Sequence, residues 1–382
     1  MPPIRIIDAM RIAFYAPLKP PGHPVPSGDR AVARLLMAAL GLAGHEVTLA
    51  STLRSYSAVP DAARLTALRA QAATIRATLI AGYRKAGRPD LWFTYHPYYK
   101  APDLIGPAVA AALAIPYVTA EASHAPKRAR DAWAPWQQAL EPGLRQGARH
   151  FCPTPRDRAG LAALLGDAAL LGDASRLVML PPFLDAAALP PPPPRAEAGE
   201  VLLVSVAMMR SGNKRESYLV LAEALAGLEA LPWRLEIVGD GPARPEIAAA
   251  FAPFGARVRL HGQLRAPDLQ RLLDAAALFV WPAVREAYGM SFLDAAAAGL
   301  PALATRDGGV PAVVVHGRTG WLTPPGDVAA FRAALARLIA DPALRRRLGA
   351  EALVFAREER TLAGAAGILD AALRPLMHGA AA

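Results

Sequence analysis

The chain has 382 residues, 53% of them hydrophobic and 19% charged, which excludes wholesale disorder and allows two ordinary domains with cores of their own. Its single cysteine, Cys152, cannot close an internal disulfide, so a reducing cytoplasm is the default compartment. The net charge of +10 belongs to the first half, where residues 1–184 carry 21 Lys and Arg against 12 Asp and Glu while residues 185–382 carry 21 against 20.

That asymmetry suits an anionic partner or a solvated basic face. Nucleic acid is disfavoured, because no stacking aromatics are interleaved among the basic residues. Met1–Met10 lacks the apolar core of a signal peptide and reads as a short extension. The most apolar stretch, residues 104–120, is interrupted by Pro107 and Pro116 and reads as a buried helix and strand, not a membrane span.

In chain order, a strand is expected at 11–16, a helix from about Asp29 to Leu42 closed by Gly44, and strands at 45–50, 91–95, 116–119, 149–152 and 176–180. Leu189 is then followed by five prolines, Pro190 to Pro194, a stiff stretch that neither a helix nor a central strand accommodates. A second series follows at 200–206, 233–238, 257–260, 278–281, 301–304 and 320–322, with helical patterning from Val328 to Met377. Short strands alternating with helices predict an α/β fold of two doubly wound parallel sheets facing across a cleft. The expected organisation is an N-terminal domain over 1–185, a proline-rich linker over 186–199 and a C-terminal domain over 200–382, whose last helical segment is free to pack back on the first domain.

Ligands of open parallel sheets bind beyond the carboxyl ends of the strands, and four loops there are unusual. The first runs from Lys19 to Asp29, where Gly28 opens a helix capped by Ser27 or Asp29 and leaves N–H groups for an anion or sugar; a plain capped loop is the alternative. It lacks the G-x-G-x-x-G fingerprint, which argues against a dinucleotide. The second is Tyr95-His96-Pro97, where proline ends the strand and leaves His96 at the sheet edge, structural or functional. The third, Met208 to Glu216, sets Arg210 and Lys214 at a strand-to-helix junction, where two cations neutralise a diphosphate better than they explain a solvated surface. The fourth, Trp281 to Pro301, puts Glu286 in a loop and Gly289-Met290-Ser291 at a helix start, with Asp294 a turn further in.

These residues resemble the retaining glycosyltransferases of family 4, which have the GT-B fold and use nucleotide sugars. The likeness covers nearly the whole chain and is most specific in Pro282–Pro301, similar to the family's Glu-x7-Glu segment and following Ala-x-Gly-x-Pro, and in Val238-Gly-Asp-Gly-Pro242. Pro181-Pro-Phe-Leu-Asp185 is similar to the family's interdomain segment with its Asn-Gly lost. The resemblance implies Arg210 and Lys214 on the donor diphosphate, Glu286 on the sugar, and backbone groups of Tyr288, Gly289, Met290 and Ser291 on sugar hydroxyls and phosphate. It further implies Asp294 on the ribose, Gly262-Gln263-Leu264 on the base, and Gly28 and His96, with Ser27 and Asp29 beside them, on the reacting-centre side of the first domain. Three departures mark a divergent member: Asp294 stands where the family has Glu, Arg210 precedes Lys214 by four residues instead of five, and Arg215 replaces a glycine.

The expected activity is transfer of a sugar from a nucleoside-diphosphate sugar to a glycan, lipid-linked or small-molecule acceptor in envelope or exopolysaccharide synthesis, with retention. No Asp-x-Asp occurs, so no metal and no cofactor are expected, with Arg210 and Lys214 in the metal's place. Lys127, Arg128 and Arg130 follow a carboxyl-edge loop and are expected to meet an acidic membrane surface or anionic acceptor from the cytoplasmic side. The rivals are a GT-B epimerase or hydrolase and a non-catalytic nucleotide-sugar-binding protein.

Overall fold

The computed structural model describes residues 9–166, 176–194 and 199–378, and these form two compact units. The first holds the described residues up to Pro181 together with those from Leu362 onward, and the second is Pro182–Thr361. Residues 1–8, and Arg195 to Ala198 of the expected linker, lie outside the described part.

In the first unit the strands are β1 (Arg11–Tyr15), β2 (Glu46–Ser51), β3 (Leu91–Tyr95), β4 (Tyr117–Ala120), β5 (Arg149–Cys152) and β6 (Leu177–Met179), all parallel in the order β2-β1-β3-β4-β5-β6. Every residue of β3, β4 and β5 is buried, as expected of parallel strands covered on both faces, and the polar side chains among them, Thr94, Thr119, Arg149 and His150, are buried with the apolar ones. Phe93 ties the sheet together: its ring stacks on Phe14 at 5.7 Å and on Phe151 at 6.0 Å. Because β2 and β4 lie on opposite sides of the β1–β3 pair, the winding reverses between β1 and β3 and opens a crevice at their carboxyl ends.

The second unit repeats the scheme with β7 (Val201–Val206), β8 (Trp233–Val238), β9 (Val258–Gly262), β10 (Leu278–Val280), β11 (Ala302–Thr305) and β12 (Gly320–Thr323). Their order is β12-β11-β10-β7-β8-β9, again parallel, the order of a dinucleotide-binding fold with its switch between β7 and β10. All twelve strands fall where alternating apolar runs and breaks predict them. The expected fold class therefore holds, each unit being a doubly wound parallel sheet.

The chain passes between the units at Pro181/Pro182 and again at Thr361/Leu362, earlier and later than the proline run suggests. Leu184 explains why: its N–H donates to the Arg360 carbonyl at 2.9 Å and it bridges Thr361, so residues 182–189 already belong to the second unit. The start of the proline run is held, since the Arg357 guanidinium donates to the carbonyls of Leu189 at 3.4 Å and Pro190 at 2.6 Å. Helix Leu362–His378 packs on helix Gly28–Leu42 of the first unit, burying Ala365, Ala366, Leu369 and Leu373. His45 Nε2 lies 3.3 Å from Asp370 Oδ1 in the same contact, and burial lowers the pKa of this histidine, so the contact is with a neutral ring at pH 7.

Close backbone approach at the exit of β7 requires glycine. Gly239 has φ 144°, donates to Gly262 at 2.8 Å, and would bring a Cβ within 1.8 Å of the Ala207 carbonyl oxygen. Gly239→Ala should destabilise the protein by about 2–3 kcal/mol. By contrast Gly41→Ala, in helix Gly28–Leu42 with nothing within 4 Å of the new methyl, should be neutral or stabilising by up to ~1 kcal/mol. Urea unfolding of the two variants checks the contrast.

Candidate active site

Each unit gathers polar side chains at its own switch point. In the first, Ser27 is the cap, its Oγ accepting from Arg30 N at 3.3 Å, and Gly28 is exposed at the start of the helix with open space around it. Asp29 occupies the first turn, where the free N–H groups and the helix dipole favour its negative charge.

His96 directly follows β3 and has a left-handed backbone, φ 56°, fixed by donation of its N–H to the Ala120 carbonyl at 2.8 Å. Glu121, directly after β4, is left-handed too, with φ 55° and its N–H donated to Phe151 O at 2.9 Å. Non-glycine residues rarely adopt this conformation, and two neighbours sharing it turn their side chains together beyond the sheet edge. His96 Nδ1 lies 3.2 Å from Asp29 Oδ1 and 3.6 Å from Glu121 Oε1, at ion-pair distance though outside hydrogen-bond alignment.

Burial opposes a charge on this ring, but Glu121 first, then Asp29 and Asp157, outweigh it and raise the His96 pKa to about 9. Asp29 shifts the other way: burial pushes its carboxyl up, and His96 with Lys19 brings it below the usual value. The tilted ring of Tyr98 lies 5.0 Å from the imidazole, and from there aromatic contacts run through Tyr99 at 5.5 Å to Trp133 at 5.1 Å. Lys127, Arg128 and Arg130 sit on the short 3-10 helix Pro126–Arg130 beside this row. Arg128 lies 4.7 Å from the Tyr99 centroid and donates to Asp131 at 2.7 Å, while Lys127 and Arg130 are exposed. Lys100 joins them, its Nζ 5.3 Å from the Trp133 ring.

In the second unit the segment after β10 is held at nearly every residue. Ala283 and Arg285 are left-handed, φ 58° and 48°. Val284 N donates to Ser217 Oγ at 2.9 Å and Arg285 N to Asp307 Oδ2 at 2.7 Å. The Arg285 guanidinium spans Asn213 Oδ1 at 3.0 Å and the Glu216 carboxylate. The carbonyl of Glu286 accepts from Gly309 N at 3.2 Å, and Gly308, φ 55°, has no room for a Cβ, which would lie 1.9 Å from that oxygen. So fixed, the Glu286 carboxylate accepts from Lys214 Nζ and, at the 3.5 Å limit, from Trp281 Nε1, while Lys214 Nζ lies 5.5 Å from the Trp281 centroid.

Helix Met290–Ala297 begins beside this pair. Gly289 at its N-cap has φ 83° and no side chain to cap the first turn, and Met290 and Ser291 are only partly buried, so N–H groups remain for an incoming anion or hydroxyl. Tyr288 is buried behind it and Asp294 is exposed on the helix. Arg210 is exposed beyond β7, whereas Arg215 is drawn aside into an ion pair with Glu246. Gly262, the last residue of β9, is buried against Gly239, and beyond it Gln263 is exposed and Leu264 partly so.

Residues 200–341 match the family described as glycosyl transferases group 1. That stretch contains Arg210, Lys214, Glu286 and the helix start. The D-inositol 3-phosphate glycosyltransferase of Streptomyces avermitilis is 37% identical over 114 residues, 29% of this chain and 25% of that enzyme. The matched stretches span less than half the length of the curated relatives. Likeness of fold reaches further. Sucrose-phosphate synthase of Thermosynechococcus elongatus has a TM-score of 0.74 at 20% identity, covering 97% of this chain and 100% of that one. HepE of Anabaena, in complex with UDP-glucose, has a TM-score of 0.69 at 16% identity, covering 96% and 100%. These matches establish the GT-B fold.

Several site residues escaped the sequence reading. Glu121 follows a strand that was recognised, so the carboxyl-end rule applied to β4 as well as β3 finds it. Asp157 and Ser217 leave no such signal, since they lie inside helices and meet the site only through folding. Among the described residues no group of three His, Cys, Asp or Glu is placed to hold a metal ion, and no helix is long and apolar enough to cross a membrane.

Ser217 is fully buried and both accepts from Val284 N and donates to Asn213 O at 2.8 Å. Ser217→Ala leaves the Val284 N–H unpaired and should cost about 1–2 kcal/mol. The amides of residues 284–286 should also exchange faster than in the native protein by hydrogen-exchange mass spectrometry.

Proposed function

We propose that this protein is a retaining, metal-independent glycosyltransferase of family 4, moving a sugar from a uridine diphosphate sugar to a hydroxyl of an anionic glycan or lipid-linked acceptor. The carrying observation is the Lys214–Glu286 pair, fixed at the switch point beside an uncapped helix start, within the stretch matched by the family model. Lys214, Arg210 and the N–H groups of Gly289–Ser291 take the departing diphosphate, and Gln263 and Asp294 the nucleoside. Each well-placed donor to the developing charge is worth on the order of 3–4 kcal/mol. Glu286 stabilises the positive charge that grows at the anomeric carbon. The acceptor oxygen bonds to that carbon as its bond to phosphate breaks, and the acceptor proton passes to the departing phosphate on the same face. HepE's complex with UDP-glucose supports the choice of uridine.

Lys214 is paired with Glu286, so binding a diphosphate competes with that ion pair. Glu286→Gln should lower turnover by at least ~100-fold while UDP affinity is unchanged or higher, because Lys214 is released. Lys214→Ala should weaken UDP by about 1.5–3 kcal/mol and uridine hardly at all. Calorimetry with UDP, uridine, GDP and ADP decides both the role and the base; equal losses for UDP and uridine reject the phosphate contact.

For the acceptor, the basic 3-10 helix and the +9 balance of the first half favour anionic chemistry at the cytoplasmic membrane surface. Arg128 is already half engaged by Asp131 and Tyr99, so Lys127 and Arg130 should dominate. Binding to vesicles containing acidic lipid should fall with salt, and fall several-fold further on neutralising Lys127, Arg128 and Arg130 together. Equal co-sedimentation with neutral and acidic vesicles at low salt would favour a soluble acceptor.

A further inference from the structure

His96 has more negative charge behind it than a catalytic base needs. A histidine that accepts a proton is commonly backed by one carboxylate on Nδ1, which leaves a lone pair on Nε2. Here the same Nδ1 faces two carboxylates, Asp29 from the first turn of helix Gly28–Leu42 and Glu121 from the end of β4. Asp157 adds a third negative charge from helix Pro155–Leu165. The cations on this side are Lys19, acting on Asp29, and Arg156, acting on Asp157, and the flanking rings of Tyr95 and Tyr98 are phenols, with burial holding the Tyr98 hydroxyl neutral. On the other edge, Nε2 has no partner among the described residues, and the ring is 19% exposed. The left-handed backbones at His96 and Glu121 fix both side chains in this relation, so the charges are built in by the chain path.

We propose that Asp29 and Glu121 are positioning residues that keep His96 doubly protonated, so that its outward Nε2–H is a standing hydrogen-bond donor to a substrate oxygen and not the base that receives the acceptor's proton. The substrate in this statement rests on the glycosyl-transfer reading; the charge state of His96 does not. With both ring nitrogens protonated there is no lone pair to take up a proton at neutral pH. A cationic donor instead binds an electron-rich oxygen through a charge-assisted hydrogen bond, stronger than a neutral imidazole gives. The proton released by the acceptor then leaves with the phosphate, consistent with the first unit's switch point containing an imidazolium and not a free base.

The test is a pH titration of the imidazole by nitrogen-edited NMR on the full chain without substrate, the His96 signals being identified by their loss in His96→Gln. The native ring should titrate with a midpoint near 9, and its two nitrogen shifts should report protonation of both at pH 7. Glu121→Gln and Asp29→Asn should each bring the midpoint down toward the ordinary value of about 6.5, and Glu121→Asp should restore part of the difference. A native midpoint below about 7.5, or one that stays put in both neutralised variants, overturns the proposal. The native measurement alone suffices if the variants do not fold. Because no sugar nucleotide is present, failure here leaves glycosyl transfer standing, and failure to bind or turn over any donor leaves the His96 result standing.

Discussion

A parallel sheet covered on both faces by helices has no face on which to display polar chemistry, and what remains are its ends. At the carboxyl end the strands release their loops into the space left where the winding changes direction, between β1 and β3 in one unit and between β7 and β10 in the other. Much of the site described above follows from that constraint. His96 and Glu121 stand one residue past their strands, Glu286 a few residues past β10, and Lys214 in the first turn of the helix that β7 feeds. The buried aromatic stack through Phe14, Phe93 and Phe151 keeps the strand ends in register, so a loop only a few residues long can place a charge accurately.

The two clusters are built on different electrostatic plans. Lys214 and Glu286 form a one-to-one pair in a partly exposed place, where the net contribution to stability is small because partial desolvation offsets attraction. Such a pair is suited to exchange partners when a charged ligand arrives. The imidazole of His96 instead faces an excess of carboxylates, an arrangement that resists changes of state. One unit thus has charge that can be redistributed, and the other has charge that is fixed. The backbone is set in the same way in both: left-handed residues, Ala283 and Arg285 in one and His96 and Glu121 in the other, are held by hydrogen bonds to neighbouring segments.

The sequence was most informative where one local signal was sufficient. Most strands are legible because short, largely apolar runs bounded by glycine and proline have few other readings, and the loops with His96 and Glu286 follow from strand ends. Glu121 was passed over although it obeys the same rule, because a lone acid after a strand has no distinguishing neighbour like the proline beside His96. Three strands, β8, β9 and β10, lie between Lys214 and Glu286 in the chain, and no spacing encodes their ion pair. Five prolines read as a spacer, and the hydrogen bonds that hold the start of the run come from Arg357, too far along the chain for any local signal to announce them.

The chain visits the first unit twice, at its beginning and again from Leu362, with the whole second unit inserted between. During synthesis, then, the second unit emerges contiguous and complete while the first still lacks the helix that covers Gly28–Leu42. Helix Gly28–Leu42 must wait for helix Leu362–His378 to leave the ribosome before the face on which that helix packs is covered. The half of the molecule translated first is therefore the half finished last, and in a cell its incomplete apolar face is the surface a chaperone would meet.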